Sequence, residues 1–293
     1  MHNHAHRDNN SASSRIGWAF FLNVGFTFVE FIGGWLTNST AIMADAVHDL
    51  GDSLSIGLAW ILNKFSDKQA NDSFSYGYQR FSLLGALTNG AVLIGGSIWV
   101  LSESLPRLAK SEMPDAQGMI LLSIFGVAVN GFAAYKLSRG KSLNERVLNW
   151  HLLEDVLGWF AVLIVATVLL FVELPILDPV LSIGFTLFIL FNVAKNLAET
   201  IKLFLQATPD KRIRAKIIDD LRSLPNVCDV HHVHLWSLDG INHVLTAHLV
   251  LDKAIDQLPQ AKIKNEIATL LLPYDLSHTT IELEFPGEFC RDK

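Results

Sequence analysis

Six long apolar segments dominate the first two-thirds of this 293-residue sequence and restrict what it can fold into. Half of the residues are hydrophobic and only 18% are charged, less than a water-exposed surface normally carries. A helix that crosses a bilayer needs about 20 apolar residues, and each segment is long enough. The segments are Ile16–Leu36, Thr40–Leu62, Phe81–Leu105, Ala116–Leu137, Val147–Val172 and Ile176–Leu197. The sequence therefore predicts an α-helical membrane protein with six transmembrane helices.

Lysine and arginine residues lie mainly on one side of these segments. The opposite loops contain only Arg107 and Lys110. Basic residues close to the spans mark the cytoplasmic side of a membrane. We therefore expect a multi-pass protein of the cell (inner) membrane with both termini in the cytoplasm. The basic residues on the predicted cytoplasmic side are Arg7, Arg15, Lys64, Lys68, Arg80, Lys136, Arg139, Lys141 and Arg146.

After residue 205 the sequence changes to that of a water-exposed domain. Apolar residues now recur at helical or alternating spacing between polar residues. The order helix, strand, strand, helix, strand predicts a small C-terminal α+β domain of ferredoxin-like type, α-β-β-α-β. The expected elements are Pro209–Leu224, Val230–Leu238, His243–Leu251, Leu258–Leu272 and Thr279–Phe285.

The chain is thus predicted to have three parts. Residues 16–205 form the transmembrane domain, and residues 206–293 form a cytoplasmic domain. Residues 1–15 form a flexible tail, whose histidines either capture metal or belong to an ordinary mobile terminus. These histidines are His2, His4 and His6.

The second apolar segment contains four ionisable side chains. Each costs about 2.5–3.5 kcal/mol at the centre of a bilayer. At about 100° per residue they fall within an arc of about 100°, so this helix face cannot be turned towards lipid. The four residues are Asp45, His48, Asp49 and Asp52. The fifth segment repeats the arrangement with His151, Glu154 and Asp155 on one face.

A histidine and an aspartate four residues apart on each of two helices can complete a site with four ligands. Imidazole nitrogen and carboxylate oxygen suit tetrahedral zinc, whereas calcium and magnesium prefer more ligands and oxygen only. A buried polar network that ties two helices together is the alternative interpretation. The matching pair in each segment favours the metal site. Helix geometry alone does not choose between His48 with Asp52 and Asp45 with Asp49.

Four motifs along the chain match a known pattern. They are Asn23, Phe26, Glu30 and Gly34; Ser39-Thr-Ala-Ile-Met-Ala-Asp45 with His48 and Asp52; Tyr76-Gly-Tyr-Gln-Arg80 with Leu84; and His151-Leu-Leu-Glu-Asp155. Together they resemble the cation diffusion facilitator family, in its zinc-transporting type. The resemblance covers nearly the whole chain, including the C-terminal domain.

The resemblance implies a homodimeric metal/proton antiporter. Such a protein moves Zn²⁺ by preference out of the cytoplasm, with Cd²⁺, Co²⁺ and Fe²⁺ as further possible cargoes. Zinc is then a transported substrate, and no prosthetic group is expected. The resemblance gives Asp45 no assigned role and leaves Asp49 either solvated or packed against a neighbour. The transport site that it implies is His48, Asp52, His151 and Asp155.

Protonation and metal binding compete at such a site. Imidazole must be neutral and carboxylate ionised before either can bind a metal ion. Histidine ordinarily titrates near cytoplasmic pH, which makes His48 and His151 the natural proton carriers. We therefore expect protons to enter as metal leaves.

A second, regulatory zinc site is expected in the C-terminal domain. The resemblance implies His234, His248 and Glu284 as its ligands, in a domain that forms dimers. A two-residue turn at Asp239-Gly240 would instead place His231 opposite His248. We expect a β-bulge or a longer loop to shift this register, with His231 as the alternative ligand. Cys290 follows the last predicted strand and is a further potential ligand or a bystander.

Three other functional classes are less consistent with the sequence. A metal sensor anchored by its spans would leave the ionisable groups of the second and fifth segments without a role. An intramembrane metalloenzyme keeps an open position on its zinc, whereas two His–Asp pairs complete the coordination. The sequence has no His-Glu-x-x-His or Gly-x-Ser-x-Gly motif, so we expect no enzyme. The net charge of −6 provides no basic surface for nucleic acid.

Overall fold

The computed structural model describes residues 5–66, 68, 70–110, 112–138, 143–254 and 257–290. In this part of the chain, six long helices precede a small α/β domain, in the order that the sequence predicts. The helices are α1 Ala5–Thr37, α2 Thr40–Ser66, α3 Phe81–Ala109, α4 Ala116–Leu137, α5 Leu143–Phe171 and α6 Leu177–Phe204.

Five of these six helices contain a stretch that is long and apolar enough to cross a membrane. Among the described residues, the stretches are Phe20–Thr37, Phe81–Ala109, Ala116–Lys136, His151–Phe171 and Leu177–Phe204. The helix without such a stretch, α2, is 27 residues long, but Asp45, Asp49 and Asp52 lower its hydropathy. The structure thus has a helical transmembrane domain with five candidate spans, and a sixth span at α2 stays a prediction.

Some helices extend beyond the apolar segments from which they were predicted. α1 begins at Ala5, so much of the predicted tail of residues 1–15 is helical. His2 and His4 lie outside the described residues. α6 continues to Phe204, well past its predicted end. Hydropathy marks only the part of a helix that suits lipid, whereas backbone hydrogen bonding continues without apolar side chains.

A buried tryptophan lies at the centre of the helical packing. Trp159 on α5 is fully buried, and its ring meets Phe26 of α1 edge-on, with centroids 5.5 Å apart. Gly126 of α4 lies directly against the indole, because a Cβ atom at Gly126 would fall 2.3 Å from Trp159 Cδ2. A glycine here lets α4 and α5 approach closely, as small residues do between membrane helices.

The outer surface of the helices carries many large apolar side chains. A contiguous exposed apolar surface is rare on water-soluble proteins and is normal where lipid covers the protein. The exposed side chains therefore agree with a membrane environment. They include Phe21, Trp35, Leu121, Phe171 and Phe191.

The C-terminal domain has the predicted order of elements. The sheet order is β1-β2-β3, with β1 and β2 antiparallel and β2 and β3 parallel. The parallel pair requires a crossover, which the second helix of the domain provides. Both helices pack with the sheet into one apolar core. The elements are α7 Lys211–Arg222, β1 Val227–Ser237, β2 His243–Leu251, α8 Gln257–Leu271, a 3₁₀ turn Leu272–Tyr274 and β3 Leu276–Glu284.

A five-residue loop, and not a two-residue turn at Asp239-Gly240, joins β1 to β2. Ser237 is the last residue of β1 and pairs with His243 of β2. Asp239 Oδ1 accepts hydrogen bonds from the backbone N–H groups of Ile241 and Asn242, at 2.9 and 2.7 Å. The aspartate therefore stabilises a wider loop than the Asp-Gly pair suggests.

A β-bulge interrupts β1 in the middle of its histidine-rich stretch. His234 pairs with Thr246, and beyond the bulge His231 pairs with His248. Between them His232 has a φ of 46°, in the left-handed region. The bulge and the longer loop were expected as alternatives, but both are present and their shifts cancel. His231 therefore ends opposite His248, as a two-residue turn alone would have placed it.

The described residues form two compact units. One contains the described residues up to Ile61 together with Gly85–Asn196, and the other contains Leu62–Leu84 and the chain from Leu197 onward. This division differs from the predicted boundary between residues 205 and 206. The connection between α2 and α3 and the last turns of α6 belong with the C-terminal domain.

Aromatic contacts explain why the α2–α3 connection joins the C-terminal unit. The ring of Tyr76 meets Trp236 of β1 and His278 of β3 edge-on, with centroids 6.4 and 5.1 Å away. Such pairs each contribute about 0.5–1.5 kcal/mol beyond the area that they bury.

We predict that Gly126→Ala destabilises the helical unit by about 1–3 kcal/mol, because the new methyl group overlaps the fixed Trp159 ring. Thermal unfolding of the purified protein in detergent would measure this. Gly95→Ala on α3 is the matched control, since a Cβ atom there meets nothing within 4 Å. Equal melting temperatures for the two variants would contradict the packing described above.

Candidate functional site

The histidine–aspartate pairs of α2 and α5 meet inside the helical unit. Asp52 Oδ2 lies 3.4 Å from His48 Nε2 and 3.0 Å from His151 Nε2. His151 Nε2 lies 3.7 Å from Asp155 Oδ2, and the two imidazole rings are 5.6 Å apart. All four residues of the predicted transport site are therefore brought together. We name them the membrane cluster.

The separations in the membrane cluster suit a small tetrahedral ion. Ligand atoms about 2.0–2.1 Å from a zinc ion lie about 3.3 Å from one another at the corners of a tetrahedron. One ligand atom each from His48, His151 and Asp155 lies within 4.8 Å of the others, and Asp52 contacts both histidines. The cluster can therefore offer two nitrogen and two oxygen ligands to one ion.

Three further carboxyl groups are buried beside the membrane cluster. Asp49 is completely buried, so the expectation of a solvated Asp49 is wrong and the packed alternative is the one observed. Glu30 of α1 faces Asp49 and is 1% exposed. Asp45 lies next to Gly158 of α5, which has no side chain to exclude it. Carboxyl groups in a low-dielectric region attract a cation strongly when they are ionised.

Glu154 does not share the surroundings of its neighbours. The sequence grouped it with His151 and Asp155 on one face of the fifth segment. Asp155 is 3% exposed, whereas Glu154 is exposed. Adjacent helical residues point about 100° apart, and here that angle separates a cluster ligand from an outward-facing side chain.

Four potential ligands also meet in the C-terminal domain. His248 Nδ1 donates a hydrogen bond to Glu284 Oε1 at 2.7 Å, and His231 Nε2 lies 3.3 Å from Glu284 Oε2. Cys290 Sγ lies 3.5 Å from His248 Nδ1. One ligand atom from each of the four residues lies within 4.8 Å of the other three. We name His231, His248, Glu284 and Cys290 the cytoplasmic cluster.

The structure brings His231 rather than His234 into this cluster, so only two of the three predicted ligands lie together. The bulge at His232 restores the pairing of His231 with His248 and leaves His234 exposed, opposite Thr246. The predicted ligands His248 and Glu284 do lie in the cluster. Sequence reasoning left His231 and Cys290 only as alternatives, because the register of a bulged hairpin cannot be counted from the turn.

The buried carboxyl group of Glu284 has a lowered pKa. Burial alone would raise this pKa, but hydrogen bonds from His248 and Cys290 and the nearby charges of His231 and His248 lower it below its usual value. The carboxylate form is therefore favoured at neutral pH, which is the form that binds metal.

Sequence reasoning also gave no role to Glu30 as an individual residue. A signal was present, since a glutamate inside an apolar segment is costly unless it is buried among protein groups. The sequence did not predict Asp49 as the neighbour of Glu30, because this contact depends on how α1 packs against α2.

Two family models together match nearly the whole chain. One, described as "Cation efflux transmembrane domain", matches residues 18–205. The other, described as "Cation efflux protein, cytoplasmic domain", matches residues 209–284. These matches and the His–Asp cluster between α2 and α5 define a membrane transporter and not an enzyme. The chain belongs to the cation efflux, or cation diffusion facilitator, family and is of the zinc type.

Several named transporters are similar to this chain over almost its full length. The "Cadmium, cobalt and zinc/H(+)-K(+) antiporter" of Bacillus subtilis is 30% identical over 287 residues, covering 95% of this chain and 91% of the relative. The "Zinc transporter ZitB" of Yersinia pestis is 31% identical over 279 residues, covering 94% and 88%. The "Metal cation efflux system protein CzcD" of Cupriavidus metallidurans is 28% identical over 286 residues, covering 97% and 89%.

We predict that His231→Ala weakens zinc binding to the cytoplasmic cluster about tenfold or more, whereas His234→Ala leaves it unchanged. Of these two histidines, His231 lies 3.3 Å from Glu284, whereas His234 is exposed and pairs with Thr246. Competition with a chromophoric chelator would measure the affinity, in a background carrying Asp52→Ala and Asp155→Ala to silence the membrane cluster. A loss with His234→Ala and none with His231→Ala would restore the ligand set expected from the resemblance.

We predict that the metal-free C-terminal domain loses stability as the pH falls through the lowered pKa of Glu284. A carboxyl group with a lowered pKa in the folded state stabilises that state above its unfolded pKa, and protonation removes the contribution. Hydrogen exchange of β2 amides between pH 6 and about pH 3.5 would follow this loss. Glu284→Gln should flatten the pH dependence, and Glu266→Gln on α8, which lies beside Lys262 outside the cytoplasmic cluster, should not. Parallel profiles for wild type and Glu284→Gln would be the contrary result.

Proposed function

We propose that this chain exports zinc from the cytoplasm in exchange for protons, through the membrane cluster of His48, Asp52, His151 and Asp155. The observation that carries the proposal is the meeting of the two His–Asp pairs, with Asp52 Oδ2 3.0 Å from His151 Nε2. Membership of the cation efflux family supports metal export. The names of the relatives support zinc, cadmium and cobalt as cargoes. Iron(II) is consistent with the same nitrogen and oxygen ligands.

We further propose α2 as the sixth transmembrane helix. Its ionisable residues lie against α1 and α5 and not towards lipid, with Asp45 and Asp49 at least nine-tenths buried. A count of apolar residues therefore underestimates how well α2 tolerates a membrane. Six spans put both termini on one side, and the basic loops assign that side to the cytoplasm of a cell (inner) membrane.

Competition between metal and protons for the same ligands couples zinc export to proton import. Zinc arriving from the cytoplasm binds neutral imidazole and ionised carboxylate, so protons held by these groups must leave. Protons arriving from outside return to His48 and His151 and weaken metal binding, because a protonated imidazole has no lone pair to donate. The two sides must reach the cluster in turn, and an inward proton gradient then drives metal outward.

The cytoplasmic cluster is proposed as a regulatory zinc site with His231, His248, Glu284 and Cys290 as ligands. Two nitrogens, one oxygen and one sulfur would fill a tetrahedral zinc ion and leave no open position, which suits a structural or sensing site. The match of residues 209–284 to the cytoplasmic domain of cation efflux proteins, a dimerisation module, supports a homodimer.

A membrane-anchored metal sensor is the second candidate function. The cytoplasmic cluster by itself would satisfy it. A sensor has no need for two His–Asp pairs buried between membrane helices, so the membrane cluster favours transport. The two functions differ in what happens when the membrane cluster is disabled.

We predict that Asp52→Ala and Asp155→Ala each abolish zinc flux in proteoliposomes with an imposed pH gradient. Each substitution removes one of four ligands, and the remaining three leave a buried site with a mismatched charge. Fluorescence of an entrapped zinc indicator would follow the flux, and reversing the gradient should reverse its direction. Glu154→Gln is the matched control, since it changes an exposed carboxyl group next to Asp155.

Two outcomes would count against the proposed function. Absence of zinc movement by folded wild-type protein under any gradient would remove zinc as the cargo. A wild-type flux that survives both aspartate substitutions would move the transport site away from the membrane cluster. Zinc binding to the cytoplasmic cluster without flux would favour the sensor.

A further inference from the structure

An aspartate of α6 binds the first turn of α2. Asp178 is 1% exposed. Its Oδ2 accepts hydrogen bonds from Thr40 N at 2.7 Å and Thr40 Oγ1 at 2.8 Å. Its Oδ1 accepts from Ser39 Oγ at 2.5 Å and Ala41 N at 3.3 Å. One side chain of α6 thus satisfies four donors at the start of α2.

A second residue of α6 reaches the same turn. Ser182 Oγ donates to the carbonyl oxygen of Thr40 at 2.9 Å and lies 2.9 Å from Ser104 Oγ of α3. Ser182 and Ser104 are both completely buried. Asp178 and Ser182 lie four residues apart on α6. Asp178 therefore binds hydrogen-bond donors in the first turn of α2, and Ser182 binds an acceptor there.

The binding of Asp178 is favourable for electrostatic as well as geometric reasons. The first N–H groups of a helix have no partner within the helix and carry a partial positive charge. Burial at this position would leave the N–H groups of Thr40 and Ala41 unsatisfied without the carboxylate. Rotating or sliding α2 would break several of these bonds together, so the contact defines both its rotation and its height.

Fewer contacts hold α2 at the level of its ligands. Asn23 of α1 donates a hydrogen bond to Ser53 Oγ at 3.2 Å, and Asp52 Oδ2 lies 3.0 Å from His151 Nε2 of α5. His48 lies eight residues after Thr40, about 12 Å along the helix axis. The four hydrogen bonds at the first turn therefore contribute to the rotation and height at which the α2 ligands meet α5.

We infer that Asp178 is a positioning residue for the membrane cluster, acting through α2 and not by contact with metal. It holds α2 at the rotation and height at which His48 and Asp52 meet the ligands of α5. The inference rests on the proposed function, because it assumes that the membrane cluster binds the transported zinc.

Asp178→Asn tests this role. An amide group offers one acceptor where the carboxylate offers two, and its NH₂ group would face the N–H of Thr40 or Ala41. We expect the KM for zinc to rise about tenfold or more, as it does when groups that orient metal ligands are removed. We also expect the preference for zinc over the larger cadmium ion to fall, because a displaced α2 relaxes the ligand spacing. Proteoliposome flux over a range of each metal would measure both quantities.

The matched control is Asp115→Asn. Asp115 caps α4 through the backbone N–H of Gln117, is exposed and holds no helix that carries a ligand. It should keep the wild-type KM and metal preference. Size-exclusion profiles and melting temperatures of both variants would show how much folded protein contributes to each flux.

The outcomes separate the inference from the proposed function. Wild-type protein that moves no zinc would refute the proposed function itself. The positioning role would be refuted if wild-type protein moves zinc and Asp178→Asn keeps the same KM and metal preference. It would also be refuted if the flux of Asp178→Asn falls only in proportion to the amount of folded protein. If Asp178→Asn does not accumulate, the KM of Ser182→Ala for zinc tests the positioning role instead. A raised KM in that variant supports the role, and a wild-type KM overturns it.

Discussion

The burial of charged ligands between membrane helices is the constraint on which the rest of this structure depends. α2 carries three aspartates and a histidine in a segment that would otherwise suit lipid. Such groups are tolerated only where protein groups surround them, so α1 and α5 must cover this face of α2. Two glycines allow the helices to pack closely around this face. Gly126 of α4 leaves space for Trp159, and Gly158 of α5 leaves space beside Asp45.

The two clusters offer similar candidate ligands on different backbones. In the membrane cluster, each helix supplies a histidine and an aspartate four residues apart, which one helical turn places together. In the cytoplasmic cluster, the ligands come from β1, β2, β3 and the segment after β3, so the sheet register decides which residues meet. Only the cytoplasmic cluster contains sulfur, which binds soft metals more firmly. A cargo site must release its metal, and the nitrogen and oxygen ligands of the membrane cluster suit that requirement better.

α2 is held at its start by α6. Asp178 and Ser182 bind its first turn. The candidate ligands of α2 follow about two to three turns later. A change at this first turn is thus able to alter the ligand geometry without touching the ligands, which is how surrounding groups commonly tune metal sites.

The sequence by itself determined the six helices, the α-β-β-α-β order and the ionisable faces of α2 and α5, because each follows from local spacing. Hydropathy marks a span, and a His-x-x-x-Asp pair shares a helix face whatever the neighbouring helices do. Choosing His48 with Asp52 over Asp45 with Asp49 still required the resemblance to a family. Tertiary structure alone decided that His231 and not His234 lies beside Glu284, that Asp49 is buried against Glu30, and that Asp178 binds the first turn of α2. These contacts join residues far apart in the chain, and their partners depend on strand register and helix packing, which no local pattern encodes.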